Sequence, residues 1–201
     1  MILKKQKKMK IILASKSEVR KKILEDNNFI CEVVHSNVDE EQAKESLLEA
    51  GADPLLISKN LAELKSIKIS TKYADQLVLG ADSVISLNNE LINKPKSRED
   101  AFQILKKLNG STHYLISSVC VSKNGSMVWN FSDTSELKMK TLTDDYIQNY
   151  LDKIKTNTLL SYGVYQVESD GLDLFETIKG NMDSIMGLPI KQIKQYLETL
   201  K

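Results

Sequence analysis

The sequence predicts a mixed α/β fold, because short apolar runs typical of strands are interspersed with segments of helical periodicity. Two tight-turn signals indicate that the sheet is mixed rather than purely parallel. Asn88-Asn89 separates two strand-like segments, and Lys123-Asn124-Gly125 separates two more, which is the usual pattern of an antiparallel hairpin. The sheet should therefore contain two antiparallel hairpins.

The elements of the first half follow from local signals. Residues 77–79 form a buried apolar run that ends as Asp82 is reached, Pro54 favours a helix start, and Ser15 or Ser17 is suited to cap the first helix. The expected elements are a strand at 10–14, a helix at 15–26, a strand at 30–34, helices at 40–50 and 54–67, and a strand from 77 to about 82.

The second half continues the alternation. Ser97 is suited to cap a helix that Gly110 ends, Thr143 is suited to cap the next, and Pro189 opens the last. The expected elements are a hairpin at 84–92, a helix at 97–109, strands at 113–121 and 127–139, a helix at 143–151, a strand at 162–168 and a final helix from 189.

Composition and charge restrict the class of protein. The chain has 201 residues, of which 41% are hydrophobic, so we expect one domain over residues 10–201 after a basic, solvated tail at 1–9. The net charge of +1 gives no argument for a nucleic acid or membrane partner, and no apolar run suits a signal peptide or a membrane span. Two cysteines without CxxC spacing suit a reducing compartment, and we expect a cytoplasmic protein.

Asp82 and Lys94 form the first candidate site. Asp82 follows the apolar run, and the predicted hairpin would bring Lys94 back toward it. A carboxylate beside an ammonium suits chemistry on a phosphate, since the acid can hold a metal or deprotonate water and the lysine can offset phosphate charge. The alternative for an aspartate at a strand end is a turn former or a helix cap.

The turn before the first helix is a second candidate. Ser15, Ser17 and Arg20 place hydroxyls and a guanidinium at a helix N-terminus, where unpaired N–H groups favour anions. Arg20 and Arg98 are the two arginines of the chain, and a guanidinium can bind phosphate oxygens in a bidentate way. Ser15 and Glu18 are also compatible with an ordinary capping box.

Three further positions carry related chemistry. Asp39-Glu40-Glu41 could coordinate a divalent metal or simply favour a helix N-terminus. Lys65 follows an apolar helical face and could project into a cleft, although a lone lysine is usually solvated. Glu168 could accept the paired N–H donors of a guanine edge, or be an exposed strand residue.

Over residues 11–197 these segments resemble the Maf family of nucleoside triphosphate pyrophosphatases, both in the order of the motifs and in their residues. The matching motifs are Leu13-Ala14-Ser15 with Ser17 and Arg20, Asp39-Glu40, Lys65, Gly80-Ala81-Asp82, Lys94-Pro95, Leu108 through Gly110 to His113, Gly163 with Tyr165, and Gly187-Leu188-Pro189. No single motif is diagnostic, but coincidence does not explain their shared order.

The resemblance implies a fold like that of the inosine-triphosphate pyrophosphatases, with an elongated mixed sheet and two lobes around a deep cleft. It implies hydrolysis of a nucleoside triphosphate to the monophosphate and pyrophosphate with a divalent cation, Mg²⁺ or Mn²⁺. Asp82 would be the general base and, together with Glu40, a metal ligand. The phosphate-binding residues would be Ser15, Arg20, Lys65 and Lys94.

Val19, Ser83 and Glu168 resemble the positions that determine substrate specificity in the family. Members acting on dTTP and UTP have arginine, threonine and glutamine there, and those acting on 7-methyl-GTP have tryptophan at the first position and glutamate at the third. The combination of Val19, Ser83 and Glu168 matches neither group. It favours a substrate with a purine base, to which the Glu168 carboxylate could bind. Because Glu18 adds negative charge nearby, a nucleotide-binding regulator of cell division with little turnover is the alternative, and a homodimer is left open.

Overall fold

The computed structural model describes residues 9–167 and 169–200, and within them a mixed seven-stranded sheet is flanked by helices. The strands are β1 (Lys10–Ala14), β2 (Ile30–Val33), β3 (Val78–Leu87), β4 (Glu90–Ile92), β5 (Thr112–Lys123), β6 (Ser126–Met139) and β7 (Phe175–Lys179). Their order is β2-β1-β3-β5-β6-β7, with β4 also paired to β3. β1 runs parallel to β2 and β3, and the other pairs are antiparallel. The predicted mixed α/β fold is confirmed.

Helices pack around this sheet, and the predicted caps Ser17, Ser97 and Thr143 each accept a hydrogen bond from the backbone N–H three residues on. The helices are α1 (Glu18–Asp26), α2 (Glu40–Glu49), α3 (Pro54–Ser70), α4 (Arg98–Leu108), α5 (Asp144–Asp152), α6 (Thr156–Tyr162), α7 (Met182–Ile185), α8 (Ile190–Glu198) and a 3₁₀ helix (Asp170–Leu174). Within residues 9–167 and 169–200, no helix has the length and hydropathy to cross a membrane.

Both predicted hairpins are present. Asn88 and Asn89 have φ angles of 51° and 65°, and Asn124 and Gly125 have φ angles of 52° and 79°. Left-handed residues at both central positions give the turn a twist that matches the flanking strands. The first of these hairpins returns the chain from β3 through β4, and so determines where residue 94 lies.

The central strand β3 is longer than the sequence indicated. Asp82 was expected where the strand ends, but it lies in the middle of ten residues, with Ser118 of β5 as its register partner. The long strand β5 pairs with β3 from Val78 to Ser86, so the ladder continues past the polar residues. Pairing with a distant strand therefore overrides the local polarity that indicated a strand end.

Helix α3 lies unusually close to β3 because Gly80 has no side chain. A Cβ at Gly80 would lie 2.1 Å from the carbonyl oxygen of Ala62 and 2.7 Å from the amide nitrogen of Ser66. The close approach at Gly80 is thus made by a helix of the same chain. Polar contacts complete the interface, since the Ser58 hydroxyl donates to the Asp82 carbonyl oxygen at 3.3 Å.

Of three apolar clusters among the described residues, the two larger ones divide the protein along β3. The first lobe contains Leu79 and Ala81 of β3 together with residues of β1, α1 and α8. The second lobe contains Leu87 of β3 and Leu115 of β5 together with residues of α4, α5 and β7. Asp82 lies between the two clusters, where a cleft opens, so the predicted two-lobed arrangement is confirmed.

The predicted strand at 162–168 is wrong for the residues that the structure describes there. Tyr162 ends α6, Gly163 has a φ of 107°, and residues 164–167 are irregular. The apolar alternation of this segment reflects burial of Val164 and Val167 in the second lobe rather than strand pairing. Glu168 and residues 1–8 of the predicted basic tail lie outside the described residues, whereas Met9 packs against the first lobe.

Candidate active site

A cleft of about 480 Å³ lies between the two lobes, and the predicted site residues that the structure describes line it. Those that line it are Ser15, Val19, Arg20, Glu40, Lys65, Asp82, Ser83 and Lys94. Among the described lining residues, five side chains are cationic and two are acidic, namely Lys16, Arg20, Lys44, Lys65 and Lys94 against Glu40 and Asp82. The excess of positive charge suits a polyanionic ligand. Glu168 belongs to the undescribed part of the chain, so its predicted role stays a prediction.

Lys65 links the two acids of the cleft. Its ammonium group is 2.8 Å from Oδ1 of Asp82 and 3.0 Å from Oε2 of Glu40. Lys65 and Asp82 are only 6% and 5% exposed, so this lysine is not the solvated residue that its sequence context favoured. Burial raises the pKa of Glu40, but the charges of Lys65, Lys94 and Lys44 outweigh it and hold the pKa below its ordinary value.

The second carboxylate oxygen of Asp82 has unused hydrogen-bonding capacity. Oδ2 is buried, and no described residue donates a hydrogen bond to it. Leaving such an oxygen unsatisfied costs about 1–3 kcal/mol, and more for a charged group. Unsatisfied buried polar atoms in native proteins call for an explanation, and a water or cation delivered with a ligand would satisfy this one.

Lys94 reaches the cleft as the hairpin prediction required. Residue 92 ends β4, and the chain then turns so that Lys94 lies on the cleft wall. Its ammonium donates a 2.8 Å hydrogen bond to the carbonyl oxygen of Ser161 at the end of α6. Lys94 therefore retains N–H donors for an anionic ligand.

The turn between β1 and α1 forms the opposite wall. The Ser15 hydroxyl accepts hydrogen bonds from the Ser17 amide at 3.2 Å and from Nη1 of Arg20 at 3.3 Å. The helix cap is Ser17, whose side chain accepts from the Arg20 amide, so Ser15 and Glu18 do not form the capping box. The N-terminus of α1 consequently opens into the cleft beside Ser15.

Arg20 uses most of its donors within the protein. Nε donates to the Gly187 carbonyl oxygen at 2.9 Å, Nη1 to the Ala81 carbonyl oxygen at 3.0 Å, and Nη2 to the Ser83 hydroxyl at 3.0 Å. Burial lowers the pKa of Arg20, and the charges of Asp82 and Glu40 oppose that effect. Arg20 thereby connects α1, β3 and the turn before α8. When its bond to Ser15 is included, four of its five N–H groups are used, and one remains for a ligand.

The side chains of Val19 and Ser83, the two described specificity positions, differ in how many bonds the protein makes to them. Ser83 bonds Arg20 and shares a 2.8 Å hydrogen bond with the Ser117 hydroxyl, so its hydroxyl is held by the protein. Val19 is half-buried at the cleft and packs partly against the first lobe. Its position as a lining residue is compatible with contact to a substrate, which stays a prediction.

The acidic run Asp39-Glu40-Glu41 divides between its two alternatives. Asp39 caps α2 through a 3.0 Å bond to the Gln42 amide, and Glu41 forms an exposed 3.3 Å ion pair with Lys96. Glu40 alone lies on the cleft, bonded to Lys65. Asp39 therefore has the helix-start role, and Glu40 is the member of the run that lines the cleft. The role of Glu40 in holding a metal stays a prediction.

Sequence reasoning gave no role to several polar residues of the cleft, among them Lys16, Lys44 and Gln166. Lys44 follows Glu40 by four residues on α2, a spacing that places both on one helix face, and this signal was available. Lys16 lies between the two singled-out serines. No local pattern marked Gln166, because it lies in the irregular segment that the sequence assigned to a strand.

The donor set of the cleft fits a divalent cation shared with a phosphate. In the described part of the chain, no three His, Cys, Asp or Glu residues cluster as a metal site, so a cation in the cleft would find two carboxylates there, those of Asp82 and Glu40. Mg²⁺ commonly binds through one or two carboxylates, with phosphates and water completing its shell.

A nucleotide-sized cleft with a buried acid and several cations is typical of enzymes that act on phosphate esters and anhydrides.

A family model described as "Maf-like protein" matches residues 10–200, and the chain belongs to that family. A nucleoside triphosphate pyrophosphatase of Pelagibacter ubique is 56% identical over 191 residues, covering 95% of this chain and 98% of that protein. A 7-methyl-GTP pyrophosphatase of Rhizobium etli is 35% identical, covering 95% and 96%. A Ham1 protein structure from Staphylococcus aureus aligns over 96% of this chain and 100% of that chain, with a TM-score of 0.46 and 17% identity.

Proposed function

We propose that the cleft hydrolyses a nucleoside triphosphate to the monophosphate and pyrophosphate. The observation that carries this proposal is the buried Asp82 carboxylate, whose Oδ2 has no donor among the described residues, inside a cleft with five cationic side chains. The names of relatives that cover almost the whole chain support the same reaction class. A location in the cytoplasm, a homodimer and the absence of a nucleic acid partner stay predictions.

In this proposal Asp82 acts as the general base. Lys65 holds Oδ1 at 2.8 Å, which orients the carboxylate and leaves Oδ2 to accept a proton from water. The water oxygen then bonds to the α-phosphorus while the bond from that phosphorus to the bridging oxygen breaks. The pyrophosphate leaves with the bonding electron pair, and Lys94, Lys44 and Lys16 offset its charge.

Glu40 and Asp82 would hold a divalent cation, Mg²⁺ or Mn²⁺, in the proposed enzyme. When bound, such an ion supplies positive charge that favours ionised water and stabilises phosphate oxygens. The proposed phosphate ligands from the protein are Ser15, the N-terminus of α1, Lys65, Lys94 and the remaining N–H of Arg20.

A panel of ordinary and modified triphosphates, incubated with Mg²⁺ or Mn²⁺, tests the proposal. Pyrophosphate release by the native protein should fall by roughly 10²–10⁴-fold in Asp82→Asn, the range for loss of a general base. Asp145→Asn, the same change on the exposed face of α5, is the matched control and should leave the rate unchanged. Nucleotide binding without turnover across the whole panel would contradict the proposal and support a regulator.

A further inference from the structure

The N–H group that Arg20 leaves for a ligand can be assigned to one of its nitrogens. Nε donates its single hydrogen to Gly187, and the two hydrogens of Nη1 go to the Ala81 carbonyl oxygen and the Ser15 hydroxyl. Nη2 carries two hydrogens and donates one of them to the Ser83 hydroxyl at 3.0 Å. Counted over the described residues, the N–H that remains therefore belongs to Nη2, the nitrogen that also bonds Ser83.

The guanidinium group of Arg20 is closely packed against Gly187 and Ser83. Gly187 has a φ of 100°, and a Cβ there would lie 3.1 Å from Nε and 3.2 Å from Nη2 of Arg20. The same Cβ would lie 3.2 Å from the hydroxyl oxygen of Ser83. Because so little space separates these groups, a shift of the Ser83 hydroxyl changes where Nη2 can lie. Arg20 and Ser83 both line the cleft.

Ser117 holds the Ser83 hydroxyl from the neighbouring strand. The two serines are register partners on β5 and β3, which places their side chains on one face of the sheet, and their hydroxyl oxygens are 2.8 Å apart. Ser117 is 1% exposed and is not among the described residues that line the cleft. Any effect of Ser117 on a ligand must therefore pass through other side chains, and Ser83 is a direct partner.

The chemistry of the donors favours one direction for this chain of hydrogen bonds. A guanidinium has only donors, so the Ser83 oxygen accepts from Arg20. A hydroxyl that accepts from a charged donor is polarised and becomes a better donor itself, here toward the Ser117 oxygen. Removal of the Ser117 hydroxyl would weaken the bond between Arg20 and Ser83 and allow the Ser83 hydroxyl to rotate.

We infer that Ser117 is a positioning residue for phosphate binding, because through Ser83 it fixes the direction of the remaining N–H of Arg20. The inference rests on the part of the proposed function in which that N–H binds a phosphate oxygen. Ser117 itself makes no contact with the ligand in this arrangement. Since the phosphates are common to all nucleoside triphosphates, the effect of Ser117 should not depend on the base.

Ser117→Ala tests the inference, with inorganic tripolyphosphate as the probe in a calorimetric titration of the native chain and the variant. The dissociation constant should rise about fivefold, the effect of losing one ordinary hydrogen bond. In the turnover assay, kcat/KM should fall by a similar factor for GTP, UTP and ATP. An effect confined to one base would overturn the inference.

Ser132→Ala is the matched control, because it also removes one member of a 2.8 Å hydroxyl pair. Ser132 of β6 bonds Ser118, which is 1% exposed, and neither is among the described residues that line the cleft. Both variants should lower the urea midpoint by comparable amounts, whereas only Ser117→Ala should weaken tripolyphosphate binding. Equal weakening in the two variants would show a general structural role for Ser117 and overturn the inference.

A double-mutant cycle measures whether Ser117 acts through Ser83. If it does, adding Ser117→Ala to Ser83→Ala should change the tripolyphosphate dissociation constant by less than about twofold, because the intermediate group is already absent. A full fivefold loss in the Ser83→Ala background would show that Ser117 does not act through Ser83, and it would overturn the inference.

The outcomes also separate this inference from the proposed function. Tripolyphosphate binding that depends on Ser117, without pyrophosphate release from any nucleoside triphosphate, would support the inference and contradict the proposed hydrolysis. Turnover by the native protein with unchanged tripolyphosphate binding in Ser117→Ala would overturn the inference and leave the proposed function in place. Absence of tripolyphosphate binding by the native protein would likewise overturn the inference.

Discussion

Lys65→Met should destabilise the protein substantially, because it removes the single cation that bridges two carboxylates. Asp82 is 5% exposed and would keep a buried charge without its ammonium partner, a change that typically costs 3–5 kcal/mol. Loss of the ion pair between Lys65 and Glu40 adds little to this cost, because the Glu40 side chain is 41% exposed and its carboxylate can be solvated instead. The charges of Arg20 and Lys94 remain nearby, so we expect a loss of about 2–4 kcal/mol.

Urea denaturation at pH 7 measures this loss as a change in midpoint at constant slope. Lys106→Met is the matched control, because Lys106 forms an equally short 2.8 Å pair with Asp144 whose side chains are 41% and 61% exposed. That surface pair should be worth less than about 1 kcal/mol. If Lys65→Met were no less stable than Lys106→Met, the ion pairs of Lys65 would not have the energetic role that their burial indicates.

A double-mutant cycle sharpens the test. Neutralising both partners in Lys65→Met/Asp82→Asn removes the uncompensated charge, so the double variant should be more stable than Lys65→Met by about 1 kcal/mol or more. Simple addition of the two single losses would refute the reasoning, because it would show that Lys65 and Asp82 act independently.

Three further predictions follow from single positions. Gly80→Ala should lower the free energy of unfolding by about 3 kcal/mol or more, because its Cβ would meet the rigid backbone of Ala62 and Ser66; a small midpoint shift in urea would contradict this packing. Arg20→Lys should cost about 1–3 kcal/mol of stability as well as reducing the rate, and an unchanged urea midpoint would show that its protein contacts are dispensable. Burial lowers the pKa of His113 to about 4, below the ordinary 6.5. The unfolded chain therefore binds the extra proton, and stability should fall by up to roughly 3 kcal/mol as pH drops from 6.5 toward 4, with a flatter profile in His113→Gln.

Local patterns predicted the parts of the site that depend on short stretches of chain. The turn at Asn88-Asn89 needs only the residues on either side of it, and it was enough to bring Lys94 toward Asp82. The cap at Ser17 is likewise encoded within a few residues. For the same reason, the order of elements through residue 151 agrees with the structure in outline.

Contacts between distant segments were beyond such patterns. Arg20 was expected to bind phosphate with its guanidinium fork, yet Nε bonds the carbonyl oxygen of Gly187, 167 residues away. The length of β3 beyond Asp82 depends on pairing with β5. Val164, Tyr165 and Val167 have the apolar spacing of a strand, but they are buried in an irregular segment. In each case a tertiary contact decides the outcome, and one sequence carries no direct record of that contact.

The acid at the centre of the site is positioned by helix packing rather than by a loop. Gly80 and Asp82 are two residues apart on β3 and therefore face the same side of the sheet, which is the side that α3 covers. Only a glycine allows Ala62 and Ser66 to approach so closely, and that approach brings Lys65 of the same helix to 2.8 Å from Oδ1 of Asp82. A side chain at residue 80 would push α3 outward and lengthen this contact, so Gly80→Ala should reduce pyrophosphate release as well as stability. The geometry of the proposed general base thus depends on a buried residue that is not among those lining the cleft.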